Sequence, residues 1–131
     1  DGTTYNITSM LMGVPHTMTY VRDVDAVDLP VLGPKFEKHD VFPRNTNMNF
    51  VQVMDNSTIK VHTWERGAGA TLACGTGSCA CAVGSYLNGF TGRSVDVQLY
   101  LGTLHVDYDE KDGNVYMTGP AAVSFVGEWE D

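Results

Sequence analysis

The run Ala73-Cys74-Gly75-Thr76-Gly77-Ser78-Cys79-Ala80 places one cysteine in a glycine-rich turn that opens onto small apolar residues. A thiol at the start of a helix is a candidate acid/base or nucleophile. The first free amides of a helix point outward and carry partial positive charge, which favours a thiolate at Cys74. The same amides, on Gly75, Thr76 and Gly77, can hold a carboxylate without a lysine. Small residues in such a run can also serve only to let a helix pack closely on strands, and the local residues leave both readings of Cys74 open. Cys79 and Cys81 fall inside the apolar stretch and read as small buried hydrophobes.

Glu65 and Arg66 precede this segment. Alone they read as a surface ion pair contributing little stability. Near a reactive cysteine they gain a second reading, in which Glu65 tunes the thiol and Arg66 grips a carboxylate bidentately. His16, after Gly13-Val14-Pro15, reads as a turn residue or a satisfied core histidine. His39, His62 and His105 keep the structural reading, and Asn47 reads as a turn or cap residue ahead of a strand.

The three cysteines all lie between Cys74 and Cys81 and cannot staple distant parts of the chain, which points to a reducing compartment. Their Cys-x4-Cys-x-Cys spacing lacks the paired elements that wrap a tetrahedral zinc, so no metal is expected. A net charge of −8, with eight Lys and Arg residues, argues against nucleic acid as a partner. No apolar run approaches the roughly 20 residues that span a bilayer, and Asp1 opens no secretory pattern. A cytoplasmic protein acting on a small molecule is expected.

These residues need a scaffold, and the patterning predicts one domain over 1–131 of α+β class. Alternating apolar positions predict strands over 5–11 and 17–22. Asp28 is expected to cap a short outer helix running toward His39, provided that Pro34 lies near its first turn. Strands over 48–54 and 58–64 flank Asp55-Asn56-Ser57, whose side chains favour a tight turn. Ser78 to Leu87 is small and apolar all round, which predicts a helix buried on several sides. Strands over 95–101 and 104–108 are expected to fold across Gly102-Thr103. Asp112-Gly113-Asn114 turns into a strand over 115–118, and a last strand is expected over 121–126. The expected architecture is a curved, mostly antiparallel or mixed sheet wrapped around a central buried helix.

Taken together, Gly13-Val14-Pro15-His16, Asn47-Met48-Asn49-Phe50, Glu65-Arg66-Gly67-Ala68-Gly69 and the cysteine segment over 73–80 closely resemble the diaminopimelate epimerase family over nearly the whole chain. The resemblance implies a cofactor-independent epimerase of two similar domains, each contributing one cysteine to a cleft. One thiolate takes the α-proton and the opposite thiol returns one to the other face. By resemblance, Cys74 is the acid/base of this half. Gly75 and Thr76 bind the α-carboxylate through their amides, Glu65 and His16 modulate the cysteines, and Asn47 and Arg66 hold the distal amino-acid end beside Glu65. No segment of the Asn-Gly-x-Arg-Cys type, which the family carries in its first domain, is present. The chain is therefore expected to be the C-terminal half of the enzyme, inactive without its partner domain, or dimerising through the open cleft or an unpaired sheet edge.

Two positions depart from the family pattern: Val14, where Asn is common, and Ala70, where Glu is frequent. Val14 leaves room for a racemase of another amino acid such as histidine. Two further alternatives are acyl transfer, with Cys74 as nucleophile and His16 as base, and a binding module that kept the scaffold without the reaction.

Overall fold

The computed structural model describes residues 5–12, 14–42, 45–71, 75–100 and 102–119. Strands β1 (Thr8–Met12) and β2 (Val14–Tyr20) lead to a short 3-10 turn over Val24–Ala26 and helix α1 (Leu29–Glu37). Strands β3 (Asn47–Asp55), β4 (Thr58–Glu65) and β5 (Gly69–Thr71) precede helix α2 (Gly75–Leu87), and β6 (Ser94–Leu99), β7 (Gly102–Asp109) and β8 (Asn114–Thr118) follow it. The eight strands form one curved mixed sheet in the order β1-β2-β3-β4-β6-β7-β8, with β5 paired to β4. The fold is α+β.

Two pairs in this sheet are parallel, β2 with β3 and β4 with β6; the rest are antiparallel. A parallel pair needs a long crossover, and α1 supplies the first while β5 and α2 supply the second. The helices lie on opposite faces. Along β3 and β4, Met48, Phe50 and Trp64 join Leu29, Leu32 and Phe36 of α1, whereas Val51, Ile59 and Val61 join Ala80, Cys81 and Ala82 of α2. Covering both faces explains why Asn47 to Val51 is buried without interruption. Eight of the thirteen α2 residues are buried, Ala80, Cys81 and Ala82 among them, and α2 touches every strand except β5. Cys81 is thus a core residue, as its type and setting suggested.

Several local expectations agree with the structure. Asp55 Oδ1 accepts from the Ser57 amide and hydroxyl at 2.9 and 3.1 Å, closing the β3–β4 hairpin by the side-chain bonding expected of it. Asp112 Oδ1 likewise accepts from the Asn114 amide at 2.8 Å before β8. The buried helix begins at Gly75, three residues earlier than the apolar pattern alone indicated.

Other expectations are corrected. The first strand starts at Thr8, because Asn6 offers its carbonyl to the Thr19 hydroxyl and Tyr5 packs edge-on against Phe36 instead of pairing. The second starts at Val14, since β1 runs to Met12 and carries Pro15 into register opposite Leu11, and it ends at Tyr20. Strand β6 ends at Leu99 and β7 begins at Gly102, so Gly102 and Thr103 belong to β7 and the reversal comes before them. Pairing Val95 with Val106 and Val97 with Leu104 centres the turn there, a constraint that alternation within either strand does not carry. In α1, Pro30 occupies the first turn and Pro34 lies inside the helix; Asp28 holds the N-cap position without a side-chain cap bond. The expected strand over 121–126 lies outside the described residues.

One glycine of α1 fixes how the helix sits on the sheet. A Cβ on Gly33 would lie 2.4 Å from Cγ and Cδ2 of the Trp64 indole, a rigid ring that cannot fold away. Alanine in place of glycine would ordinarily favour a helix by about 1 kcal/mol. Here Gly33→Ala is expected to lower stability by about 1–3 kcal/mol through overpacking, read as a lower urea midpoint with unchanged slope.

Candidate active site

The amino end of α2 opens into a groove of about 550 Å3 lined by Met12, Glu65, Gly75, Thr76, Cys79, Val115 and Met117. Four elements build it. Strand β1 ends at Met12, β4 ends at Glu65, α2 begins at Gly75 and Thr76, and β8 supplies the outer wall. Cys74, with Leu72 and Ala73, lies outside the described residues, immediately ahead of Gly75 in the chain.

Beneath the groove runs a chain of buried polar side chains. His16 Nε2 is 3.0 Å from Thr76 Oγ1, and Asn49 Nδ2 is 3.3 Å from His16 Nδ1. Asn49 also donates to the Thr17 carbonyl at 3.1 Å and accepts the Thr63 hydroxyl on Oδ1 at 2.8 Å. The Thr17 carbonyl can only accept, so it fixes which end of the Asn49 amide carries the hydrogens. His16 Nδ1 therefore accepts, and the ring proton sits on Nε2, directed at the Thr76 hydroxyl. His16 is completely buried, and burial lowers its pKa from the ordinary value against the opposing pull of the Glu65 carboxylate. At neutral pH it is an uncharged imidazole that anchors the first turn of α2.

A second set of contacts shapes the turn after β4. Ala68 closes it by donating to the Glu65 carbonyl at 3.1 Å, and Gly67 takes φ +80°, a conformation suited to glycine. The Arg66 amide donates to Asn47 Oδ1 at 2.5 Å. Asn47 is in parallel register with His16, which brings β2, β3 and the turn together. Glu37 of α1, largely buried, accepts the Trp64 indole N–H on Oε2 at 2.7 Å and the Gly67 amide on Oε1 at 3.2 Å.

The structure thus gathers Glu65, Gly75 and Thr76 at the groove, places His16 behind Thr76, and joins Asn47 to the backbone of Arg66. Arg66 does not line the groove. Cys79, expected to be purely a packing residue, both packs against the core and lines the groove, because it follows Gly75 by one helical turn. Asn49, Thr63 and Glu37 were given no role by the sequence. A signal existed for Asn49, which shares the face of β3 that carries Val51, where a buried polar residue is informative. Among the described residues no three His, Cys, Asp or Glu side chains gather to hold a metal, and no helix is long and apolar enough to cross a membrane.

The diaminopimelate epimerase family model matches residues 8–124. The chain belongs to the diaminopimelate epimerase family. A diaminopimelate epimerase of Desulfovibrio desulfuricans is 48% identical over 129 residues, covering 98% of this chain and 45% of that protein. One of Methanococcus maripaludis is 50% identical over 124 residues, covering 95% of this chain and again 45% of the relative. The chain therefore spans a little under half the length of the curated relatives it matches. Among solved structures, a phenazine biosynthesis protein of the PhzF family from Bacillus anthracis superposes with a TM-score of 0.57 at 17% identity, over 86% of this chain and 38% of that one. That likeness places the fold within the architecture the two families share.

Proposed function

We propose that this chain forms one half of an epimerase active site that inverts the α-carbon of diaminopimelate by proton transfer, the other half supplying the opposite thiol. The observation that carries the reading is the meeting of Gly75, Thr76 and Glu65 in one groove at the start of a thirteen-residue helix, directly after Cys74. In this reading α2 is the central helix around which the sheet curves.

The α-carboxylate sits on the amides of Gly75 and Thr76, where the helix dipole stabilises the charge that spreads onto it as the α-proton leaves. Cys74, as thiolate, takes that proton. The opposite thiol delivers its own proton to the other face of the carbanion, so one S–H forms as another breaks and the stereocentre inverts. Neutral His16 holds the Thr76 hydroxyl by its Nε2–H and keeps the first turn of α2 in place. Glu65 and the Arg66 turn face the distal amino-acid group of the substrate. The reaction takes place in the cytoplasm and needs no cofactor in this scheme.

The test uses this chain joined to the first half of a curated relative, incubated with diaminopimelate in heavy water. The α-proton NMR signal is expected to disappear without a covalent adduct, while this chain alone gives no exchange. A mass adduct on Cys74 would favour acyl transfer. Exchange of histidine but not diaminopimelate would move the substrate to another amino acid, in keeping with Val14. Binding without exchange would leave a ligand-binding module.

A further inference from the structure

We propose that Glu37, on the outer helix, is a positioning residue for the substrate-binding turn, setting the backbone that carries Glu65 and Arg66. The proposal rests on the reading that this turn faces the distal end of the substrate.

The geometry has three parts. Glu37 follows Gly33 by one helical turn, so both face Trp64: the glycine gives space to the indole ring and the carboxylate takes its N–H. The other carboxylate oxygen takes the amide of Gly67, three residues further along. Between these two anchors lie Glu65 and Arg66, and Asn47 takes the Arg66 amide from the sheet side. Glu37 and Asn47 together thus satisfy two consecutive amides of the turn.

The chemistry of the side chain is matched to this task. Two donors converge on Glu37 from different directions, and a carboxylate presents an acceptor to each. A glutamine of the same shape presents one oxygen and one NH2 group, so either the indole or the Gly67 amide meets another donor. Burying a carboxylate is costly unless its oxygens are hydrogen-bonded, and a helix that served only to cover the apolar face of β3 and β4 would be served by a leucine here. The cost is offset where the position of the turn matters.

The test compares Glu37→Gln with Trp64→Phe in this chain joined to the first half of a relative. Glu37→Gln is expected to raise KM about tenfold with kcat changed less than threefold, the pattern of lost ground-state and transition-state binding alike. In the same variant the Gly67 amide should lose hydrogen-exchange protection and its resonance should move together with that of Arg66. Trp64→Phe removes the indole donor and apolar volume but keeps the Gly67 bond. It should lower the melting temperature more than Glu37→Gln does, yet raise KM less. A Glu37→Gln variant with KM within twofold of the parent and Gly67 still protected would overturn the proposal, as would a KM that merely follows melting temperature across both variants. Should the parent protein fail to exchange diaminopimelate, the epimerase reading fails instead, and Gly67 protection still decides whether Glu37 holds the turn.

Discussion

Conversion of one diaminopimelate stereoisomer into the other is expected to fall by about 1,000-fold or more when Cys74 becomes alanine, in the chain joined to its first half. Inversion requires a proton acceptor on one face and a donor on the other. Removing either stops net conversion even where the remaining thiol still exchanges the one stereoisomer whose proton faces it. Cys74→Ser should do little better, because a hydroxyl lies far above the range in which a helix end and a neighbouring charge can ionise it. The informative contrast is Cys79→Ala. Cys79 lines the groove but also packs against the core, and the expected change is a few-fold in rate. Stereoisomer formation followed by NMR in heavy water separates the two. A Cys74→Ala protein that still inverts its substrate, or a Cys79→Ala protein that does not, would move the acid/base role along the chain to Cys79.

Features written in contiguous residues were legible in the sequence. Asp55 bonds the chain two residues ahead of it, and Asp112 does the same, so the hairpins at Asn56-Ser57 and before β8 follow from local chemistry. The small residues of 78–87 announce a helix packed on several sides, although its start at Gly75 lies outside that pattern. Strand direction was not legible: alternation is the same in parallel and antiparallel strands, and only the length of the connections containing α1 and α2 marks β2–β3 and β4–β6 as parallel. Pro34 was expected to be tolerated only near the first turn, but Pro30 holds that place and Pro34 lies one turn further in.

The site divides in the same way. Gly75 and Thr76 are recognisable because the motif is continuous, and Glu65 because it is near. The Glu37 contacts cross 27 and 30 residues, and they depend on which face of α1 meets β4. Asn49 looked like a motif residue without a task because its three partners sit on two other strands, β2 and β4. Long-range polar networks of this kind exist only once register is set.

Asn49 is therefore where a single substitution should be most costly to folding. Asn49→Leu keeps the branched shape in a somewhat larger side chain but leaves the Thr17 carbonyl, the Thr63 hydroxyl and His16 Nδ1 without the partner each has now. At about 1–3 kcal/mol for each buried group left unsatisfied, the expected loss is about 4 kcal/mol, a large part of a typical domain's stability. Asn49→Asp probes the electrostatics of the same position. In the parent, His16 has its pKa lowered by burial, so its contribution to stability is fully present above the unfolded value of about 6.5 and is lost as pH falls through the folded value. A carboxylate at position 49 would accept a proton-bearing Nδ1 and raise that pKa. The contribution would then be present below about 6.5 and lost as pH rises through the new value. His62, also lowered by burial, and His105, raised chiefly by its hydrogen bond to Asp96, titrate equally in both proteins and cancel in the difference. Melting temperatures of the parent and Asn49→Asp at pH 5.5 and 8 should thus move in opposite senses relative to each other. Parallel pH profiles for the two proteins would show that Asn49 does not set the protonation of His16.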